Sequence, residues 1–509
     1  MSNLPALIRH DHATQLMVDG RPFLMLAGEL HNSSASSLSY VRPLLDRLKA
    51  LGLNTVIAPL SWELVEPEED RYDFTLVDGL IEAARERELR LVLLWFGTVK
   101  NAMSCYVPPW VKTDLERFPR VLDADGSPTR TISMFGEEIL ACDAAAFAAT
   151  MRRIREVDGD TGTVLMMQVE NEPGVLSLSR DYSEAANRAF EQPVPRQLID
   201  YLHDNQNRLM PQMAGIWLRE GRPNEGTWPE VFGEDADEIF MAWHIARFIE
   251  KVAQAGRHEH DLPMFANAWL VKGPGYGPGD YPSGGPVPKV LDIWHCAAPH
   301  LDLFAPDIYH PDFRRKCELY DRENNPLLIP EAKNTPIAAA NALYAFGRHD
   351  AIGFGPFAID DIDASHPLGE TYELMSEMMP AISRAQQEGR ITGFLQQEDG
   401  ESWEVELGDV VFTARTNAPP EECTVPGSAL LMMVGADEYV VAGRNLTLTF
   451  APASPAEETT DLVWLDTGTF EDGRWIPARR LNGDETAHGT GVLLGDQLEC
   501  CRFRIHSYG

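Results

Sequence analysis

Residues 164–173 read Val-Leu-Met-Met-Gln-Val-Glu-Asn-Glu-Pro, an apolar run that turns abruptly into two carboxylates and an amide. The start of the run shows no polar alternation, which is typical of a parallel strand buried on both faces. Charged groups at the end of such a strand are costly to bury without a partner or a purpose. The stretch therefore predicts a buried parallel strand whose carboxyl end carries a structural or functional polar cluster.

The same pattern recurs along the first 390 residues, where short apolar runs alternate with segments of helical periodicity. Strands are predicted at residues 23–27, 54–60, 91–96, 164–169, 263–268, 301–306, 327–329 and 352–357. Helices are predicted near residues 41–51, 76–84, 143–157, 236–256, 287–298, 312–322, 337–349 and 369–388. Eight such repeats predict an α/β fold, a (β/α)8 TIM barrel. An open doubly wound sheet is the alternative, although no Gly-x-Gly-x-x-Gly follows the first strand.

From about residue 390 the pattern changes to short alternating runs, separated by turn signals such as Glu471-Asp472-Gly473. This change predicts a smaller all-β, sandwich-like domain. The predicted domains are the barrel, residues 1–388, and the C-terminal β domain, residues 389–509. Two long connections, residues 98–142 and 172–235, follow the third and fourth strands, where the loops of a barrel shape its site.

The 509 residues include 78 Asp and Glu against 43 Lys and Arg, which gives a net charge of −35. Such a chain repels phosphate backbones and anionic membranes, so neither nucleic acid nor a membrane is expected as a partner. Seven cysteines without a Cys-x-x-Cys pattern favour reduced thiols over disulfides or a zinc cluster. No signal peptide is visible, so a cytoplasmic location is expected, or a periplasmic one if a leader has been removed.

A second apolar run ends in a carboxylate at Pro330-Glu331, which closes the seventh predicted strand. Strands four and seven lie on opposite sides of a barrel mouth, so Glu172 and Glu331 can converge on one ligand. Two converging carboxyl groups, one protonated and one ionised, are what glycoside hydrolysis requires. Glu172 and Glu331 are therefore the predicted catalytic pair, and no metal or organic cofactor is expected.

Further motifs carry a resemblance to a known family. Gln168-Val169-Glu170-Asn171-Glu172, with a Glu after strand seven, resembles the clan of retaining glycosidases built on (β/α)8 barrels. Within that clan, Gly28-Glu29-Leu30-His31, Leu51-Gly52-Leu53-Asn54-Thr55-Val56 and Trp62-Glu63-Leu64-Val65-Glu66-Pro67 are similar to motifs of the family 35 β-galactosidases. Segments 94–97, 104–108 and 305–309 look like those of a bacterial subgroup assigned to this family, which carries an extra C-terminal β domain.

The resemblance implies roles for individual residues. Glu172 matches the general acid/base and Glu331 the nucleophile. Asn171 matches the residue that contacts the sugar 2-hydroxyl, and Tyr309 matches the tyrosine that hydrogen-bonds the nucleophile. The chain departs from the family pattern at three places, which bear on the choice of sugar: Val92-Leu93-Leu94-Trp95 for Cys-Ala-Glu-Trp, Glu63 for Asn, and Pro173 for Tyr.

Other candidates for sugar binding lie at or near predicted strand ends. Trp95, Trp269 and Trp62 offer aromatic faces that can stack on sugar rings, although tryptophan also fills ordinary cores. Lys100, in the loop after the third strand, either reaches sugar hydroxyls or is a solvated loop residue. Glu29, after the first strand, either binds hydroxyls or forms a buried salt bridge.

Together these patterns predict a retaining exo-β-glycosidase, with terminal β-linked galactose as the expected substrate and a carbohydrate as the expected partner. The same mechanism on a β-glucoside, β-xyloside or β-mannoside is one alternative. A non-catalytic carbohydrate-binding protein is another, which the presence of both carboxylates disfavours. The sequence leaves open whether the chain forms a homo-oligomer.

Overall fold

A computed structural model describes residues 4–453 and 459–508. Eight strands carry the fold of the first part of the chain, each close to its predicted position. They are β1 (Met25–Glu29), β2 (Thr55–Ser61), β3 (Arg90–Lys100), β4 (Val164–Asn171), β5 (Met264–Trp269), β6 (Leu303–Ile308), β7 (Leu328–Ile329 and Glu331–Ala332) and β8 (Gly353–Phe354). Nearly all of their residues are buried, as expected for strands covered on both faces.

A helix follows each of these strands. The helices are α1 (Leu38–Ala50), α2 (Thr75–Arg85), α3 (Glu137–Asp158), α4 (Ala236–Glu259), α5 (Leu291–Ala297), α6 (Phe313–Tyr320), α7 (Ile337–Arg348) and α8 (Pro367–Gln387). In α2 the buried stripe Val77, Leu80, Ile81 and Ala84 has the i, i+3, i+4, i+7 spacing of one helix face. The predicted alternation of eight strands and eight helices is confirmed.

The strands form one sheet in the order β7, β8, β1, β2, β3, β4, β5, β6, β7, with the two segments of β7 at its two ends. Leu328–Ile329 pairs with β8, and Glu331–Ala332 pairs with β6. Pro330 separates the segments, and because proline has no N–H to donate, strand pairing is interrupted there. The sheet is nearly closed, and the predicted (β/α)8 TIM barrel is confirmed.

The connections between strands and helices carry further short elements. Additional helices are Trp62–Val65, Pro109–Thr113, Glu184–Phe190, Arg196–Asp204, Pro211–Arg219 and Trp228–Phe232. Turns of 3-10 helix occupy Ser34–Ser36, Gly233–Asp235, Pro288–Val290, Ile359–Asp361, Pro420–Glu422 and Gly483–Gly489. Arg120–Leu122 and Pro128–Ile132 form a two-stranded sheet after β3. Among the described helices, none combines the length and the hydropathy of a membrane span.

The chain divides into two compact units that do not follow a single cut in the sequence. The first is built mainly from Leu30–Leu45 and Val56–Asp307, and it contains β3, β4 and β5. The second is built mainly from Ala6–Glu29, Asp46–Thr55 and residues 308–508, and it contains β1, β7, β8 and the all-β region. The predicted domain boundary between residues 388 and 389 stays a prediction.

In the second unit, N-terminal residues bond to residues from the far end of the chain. A three-stranded antiparallel sheet is formed by Ala6–Arg9, Thr14–Val18 and Arg21–Phe23. Gln15 donates from Nε2 to the carbonyl of Ser383 at 2.6 Å, across 368 positions of sequence. The Tyr372 hydroxyl donates to the carbonyl of Ala27 at 2.9 Å, across 345 positions. These bonds tie the start of β1 and the hairpin before it to α8.

The C-terminal region is all β, as predicted. Its larger antiparallel sheet has the order Ile391–Leu395, Ser428–Met433, Glu438–Arg444, Glu499–Tyr508, Thr459–Glu471, Arg474–Leu481. Its smaller sheet has the order Ser402–Leu407, Val410–Thr416, Leu446–Pro452, Gly491–Leu494. Residues of both sheets share one apolar core, in which Phe412 packs edge-on against Tyr439 with ring centroids 4.9 Å apart. Two sheets around one core account for the alternating sequence pattern.

Candidate active site

The buried strand β4 leads into three consecutive polar residues, Glu170, Asn171 and Glu172. Glu170 and Asn171 are fully buried, and Glu172 is 5% exposed. The backbone φ angles of Glu170 and Glu172 are +64° and +43°, in the left-handed region that favours glycine. Holding a glutamate in that region costs on the order of 1–3 kcal/mol, so the surrounding contacts must impose the conformation.

The end of β3 and the residues after it hold this strand end. Lys100 donates from Nζ to Oδ1 of Asn171 at 2.9 Å, and both side chains are buried. Asn101 donates from Nδ2 to Oε2 of Glu172. The backbone amides of Asn101 and Ala102 donate to the carbonyls of Asn171 and Glu172, both at 3.1 Å. One neighbouring segment thus orients the amide and the carboxylate together.

The strands on the other side contribute an amide and a carboxylate. The backbone N–H of Glu172 donates to Oδ1 of Asn267 at 2.7 Å, and Nδ2 of Asn267 donates to Oδ2 of Asp307 at 2.8 Å. Asp307 therefore fixes the orientation of the Asn267 amide. Trp269 lies two residues beyond Asn267 on the same face of β5 and is partly exposed. Trp269, one of the tryptophans predicted to contact sugar, thus ends its strand and keeps part of its surface accessible.

Asp143 of α3 and Glu170 of β4 bind the same stretch of β3. Asp143 of α3 accepts hydrogen bonds from the indole of Trp95 at 2.8 Å and from the hydroxyl of Thr98 at 2.5 Å. Glu170 accepts from the backbone amides of Thr98 at 3.1 Å and Val99 at 2.6 Å. Burial, followed by the charge of Asp143, raises the pKa of Glu170 well above its usual range. Burial and the neighbouring carboxylate thus both favour the protonated form of Glu170.

In the second unit, Glu331 begins the second segment of β7, directly after Pro330. It is 4% exposed, and the Tyr309 hydroxyl donates to its Oε2 at 2.6 Å. The loop that follows is fixed by Asn334, whose Nδ2 donates to the carbonyl of Ala358 at 3.0 Å. The hydrogen bond between Tyr309 and Glu331 is the one that the family resemblance implied.

Two predicted sugar-binding tryptophans do not have the expected exposure. Trp95 is fully buried and packs against Phe147 of α3, with ring centroids 5.6 Å apart. Trp62 is fully buried as well, and its indole donates to Oε2 of Glu66 at 2.7 Å. Neither ring has a face accessible to a sugar, because each fills the packing between a strand or its loop and a neighbouring helix. The expected sugar contacts of Trp95 and Trp62 are therefore corrected to core packing.

Two other predicted residues are also deeply placed. Glu29 is fully buried at the end of β1, where its backbone amide donates to the carbonyl of Pro356 at 2.8 Å. Lys100 is 5% exposed rather than solvated, and its ammonium group lies 4.9 Å from the ring centroid of Phe96. Lys100 is bonded to Asn171, so the alternative of a solvated loop residue is wrong.

Sequence reasoning missed three residues of the polar cluster: Asp143, Asn267 and Asp307. Each leaves a weak signal in the sequence. Asp143 interrupts an alanine-rich helix four residues before a buried phenylalanine, so it faces the strands. Asn267 is a lone polar residue in an otherwise apolar strand, and Asp307 follows an apolar run near the end of β6. A polar residue inside a fully buried strand was the signal that could have found the last two.

Two family models match parts of the chain. The model described as Glyco_hydro_42, β-galactosidase, matches residues 39–210, which include β3, β4 and Glu172. The model described as DUF5597, a domain of unknown function, matches residues 368–493 in the C-terminal part. By the first match, residues 39–210 of the barrel are similar to a family of β-galactosidases. The expected assignment to family 35 is not confirmed, and family 42 is the family that this match suggests.

Relatives of known name are consistent with that class. The chain is 27% identical over 181 residues to a β-galactosidase of Xanthomonas manihotis, covering 35% of this chain and 28% of the relative. It is 26% identical over 179 residues to the human β-galactosidase-1-like protein 3, covering 34% and 25%. The chain thus spans only about a quarter of the length of the curated relatives it matches. Among solved structures, the GH42 β-galactosidase Gan42B of G. stearothermophilus matches with a TM-score of 0.48 and 15% identity, over 71% of this chain and 57% of that one.

Proposed function

We propose that this protein is a retaining exo-β-glycosidase that removes terminal β-linked galactose from oligosaccharides or glycoconjugates. The observation that carries the proposal is that two strands of one parallel sheet each carry a glutamate at or beside a strand end. β4 leads into Glu172, which accepts a hydrogen bond from Asn101, and Glu331 in β7 accepts one from Tyr309. In a barrel, the carboxyl ends of the strands surround the site where chemistry occurs.

In the proposed reaction, Glu172 gives a proton to the glycosidic oxygen while Glu331 attacks the anomeric carbon. The bond to the leaving group breaks, and a glycosyl ester forms on Glu331. Glu172 then takes a proton from water, which attacks the ester and releases the sugar with its original configuration. A retaining mechanism requires the two carboxyl groups to stand about 5–5.5 Å apart.

Hydrogen-bond partners support the proposed roles. The Tyr309 hydroxyl donates to Oε2 of Glu331 at 2.6 Å, which fixes the orientation of the proposed nucleophile. Lys100 binds Oδ1 of Asn171 and so orients its amide, which suits Nδ2 as a donor to the sugar 2-hydroxyl. We therefore propose Asn171 and Trp269 as sugar contacts, with Tyr309 and Lys100 as residues that support them.

The choice of galactose rests on the names of the matching family model and of the curated relatives. The motifs resemble family 35 and the matching model is that of family 42, and the proposed reaction is the same for either. Initial rates on p-nitrophenyl β-galactoside, β-glucoside, β-xyloside, β-mannoside and β-fucoside test this choice. We expect the galactoside to be preferred and β-galactose to be the first product by NMR. Preference for another sugar would reject galactose as the substrate. No activity on any of these glycosides would contradict the proposal that the protein is a β-glycosidase.

The role of Glu172 is tested through the leaving group. Glu172→Gln should lose about 10²–10⁴-fold in rate on alkyl β-galactosides, whose leaving group needs a proton. Formation of the glycosyl ester from a dinitrophenyl galactoside should change little, because that leaving group departs without protonation. Glu184→Gln, which removes one exposed carboxylate of the same unit, is the matched control. Equal losses on both kinds of substrate would exclude Glu172 as the acid.

We also propose a cytoplasmic location. All seven cysteines lie in the described part of the chain, and none of them is paired in a disulfide. Reduced thiols are the usual state in the cytoplasm. A thiol titration of the protein purified without reductant and then denatured should find all seven, whereas a count of five or fewer would contradict the proposal.

A further inference from the structure

Strand β3 carries more residues than its neighbour between two points of pairing. Trp95 is in register with Val169, and Lys100 is in register with Asn171, so five steps along β3 oppose two along β4. The extra residues form a bulge, and the amides within it lose the partners that a regular ladder would supply. A buried amide without a partner is costly, so another group must accept from these N–H donors.

Two carboxyl groups accept the hydrogen bonds that the neighbouring strand would accept in a regular ladder. The Thr98 amide lies within hydrogen-bond distance of both Oδ2 of Asp143, at 3.0 Å, and Oε1 of Glu170, at 3.1 Å. The Val99 amide donates to Oε2 of Glu170 at 2.6 Å. A Cβ atom at Gly97 would lie 2.6 Å from Glu170 Oε1 and 2.8 Å from Asp143 Oδ1, so only glycine leaves room for both carboxyls.

Both carboxyl groups are fully buried, and no ion pair of either is found among the described residues. The charged residues nearest in sequence to the bulge and to Glu170 are Lys100 and Glu172, which bind Asn171 and Asn101 respectively. Two ionised carboxylates at one amide would repel each other in a medium of low dielectric constant. A single proton held by the pair would remove this repulsion.

The hydrogen bonds show which carboxyl group carries that proton. Asp143 accepts from three donors, namely the Trp95 indole and the amide and hydroxyl of Thr98. Glu170 accepts from only two, one at each oxygen. The group that faces more donors is the better place for the negative charge. The raised pKa of Glu170 agrees with this placement.

We propose that Asp143 and Glu170 share a single proton, carried by Glu170, and that this pair positions the acid/base Glu172 by holding the bulge of β3. The bulge leads directly into Lys100 and Asn101, the two residues that bind Asn171 and Glu172. Asp143 and Glu170 are thus positioning residues. The catalytic half of this inference rests on the proposed function, whereas the shared proton does not.

Thermal unfolding between pH 5 and pH 8 tests the shared proton. A carboxyl group whose folded pKa is raised contributes stability below its unfolded pKa of about 4.3, and the contribution is lost as pH rises toward the folded value. Glu170→Gln cannot ionise, so its Tm relative to that of the wild type should rise by about 2–4 °C between pH 5 and pH 8. The NH2 group of the glutamine meets one backbone donor at every pH, so this cost does not change with pH. Glu184→Gln should show no such rise.

The partner variant gives a different expectation. Asp143→Asn places an NH2 group against donors at one of its two positions, so its Tm should fall at every pH. A Tm difference between Glu170→Gln and the wild type that stays constant from pH 5 to pH 8 would overturn the shared proton. A rise with pH in Asp143→Asn that is absent in Glu170→Gln would overturn its assignment to Glu170.

Rates on galactosides test the positioning role at a temperature where the variants are folded. On an alkyl galactoside, the loss of kcat in Asp143→Asn should be at least tenfold larger than in Glu170→Gln. For formation of the glycosyl ester from a dinitrophenyl galactoside, the loss in Asp143→Asn should be smaller than on the alkyl galactoside. A purely structural defect would lower both reactions equally and would overturn the positioning role. If the wild type hydrolysed no glycoside, the proposed function would fail while the unfolding experiment would still decide the shared proton.

Discussion

The end of β4 and the strands of the C-terminal sheets use buried surface in different ways. All eight residues of β4 are buried. The last two, Glu170 and Asn171, have polar side chains that accept hydrogen bonds from β3. In Ser402–Leu407 and Val410–Thr416, buried and more exposed residues alternate, and the shared core of the two sheets is apolar. A strand covered on both faces cannot place a polar residue in water, so its polar residues must be partnered or functional.

This difference indicates where chemistry can occur in the chain. In an alternating strand, polar side chains point outward and their charges are screened by solvent. At the end of β4, charges and amides are held in a medium where each contact has a larger effect on orientation and protonation. Variants at strand ends should therefore change the rate, and variants in the C-terminal core should change the stability.

The largest expected effect is at Glu331. Glu331→Ala should lower kcat on p-nitrophenyl β-galactoside by at least about 10⁴-fold, because the covalent step has no other nucleophile. Stopped assays and product NMR with added azide provide a second readout, since azide in place of the carboxylate should yield the α-galactosyl azide. Glu373→Ala, an exposed carboxylate on α8, is the control. If Glu331→Ala kept activity within tenfold of the wild type, the expectation that this strand end carries the chemistry would be wrong.

The next effect separates stability from rate. Phe412→Ala should reduce the free energy of unfolding by about 3–5 kcal/mol, because it leaves a cavity in the C-terminal core. Phe412→Leu, which keeps most of the volume, should cost less. At a low temperature where the variant is folded, kcat should be unchanged. A loss of kcat in the folded variant would show that the C-terminal sheets contribute to the reaction.

The smallest effect is at Tyr309. Tyr309→Phe removes one hydrogen bond to Glu331, and bonds to charged groups contribute roughly 1.5–3 kcal/mol. We therefore expect kcat/KM to fall by about tenfold to a hundredfold, with Tyr40→Phe, an exposed tyrosine, as the control. An unchanged kcat/KM would mean that the orientation of Glu331 does not depend on this bond.

The sequence predicted the barrel well because its strands are fully buried, and continuous apolar runs are easy to locate. It also singled out Glu172, Asn171 and Glu331, since each interrupts an apolar run or follows it directly, and their roles stay predictions. It failed at Trp95, because a run that is apolar throughout does not reveal which side chains face inward and which face the helices.

Contacts between distant elements were the other source of error. Asp143 lies in a helix 27 positions before Glu170, and no periodicity reveals that its carboxylate faces the same backbone amide. The bulge in β3 left one signal, Gly97, because a glycine inside an apolar strand pattern often marks a bulge. A shared proton is a property of packing, and it becomes visible only with coordinates.

The bonds from Gln15 to Ser383 and from Tyr372 to Ala27 have a consequence for protein synthesis. A ribosome adds roughly 5–20 residues per second, so the N-terminal hairpin leaves it roughly 20–70 s before its partners are made. During that interval Leu16 and Leu26, fully buried in the finished protein, have no native neighbours from the far end of the chain. This hairpin, made early, is therefore among the last segments to find its place, and it is open to chaperones throughout the delay.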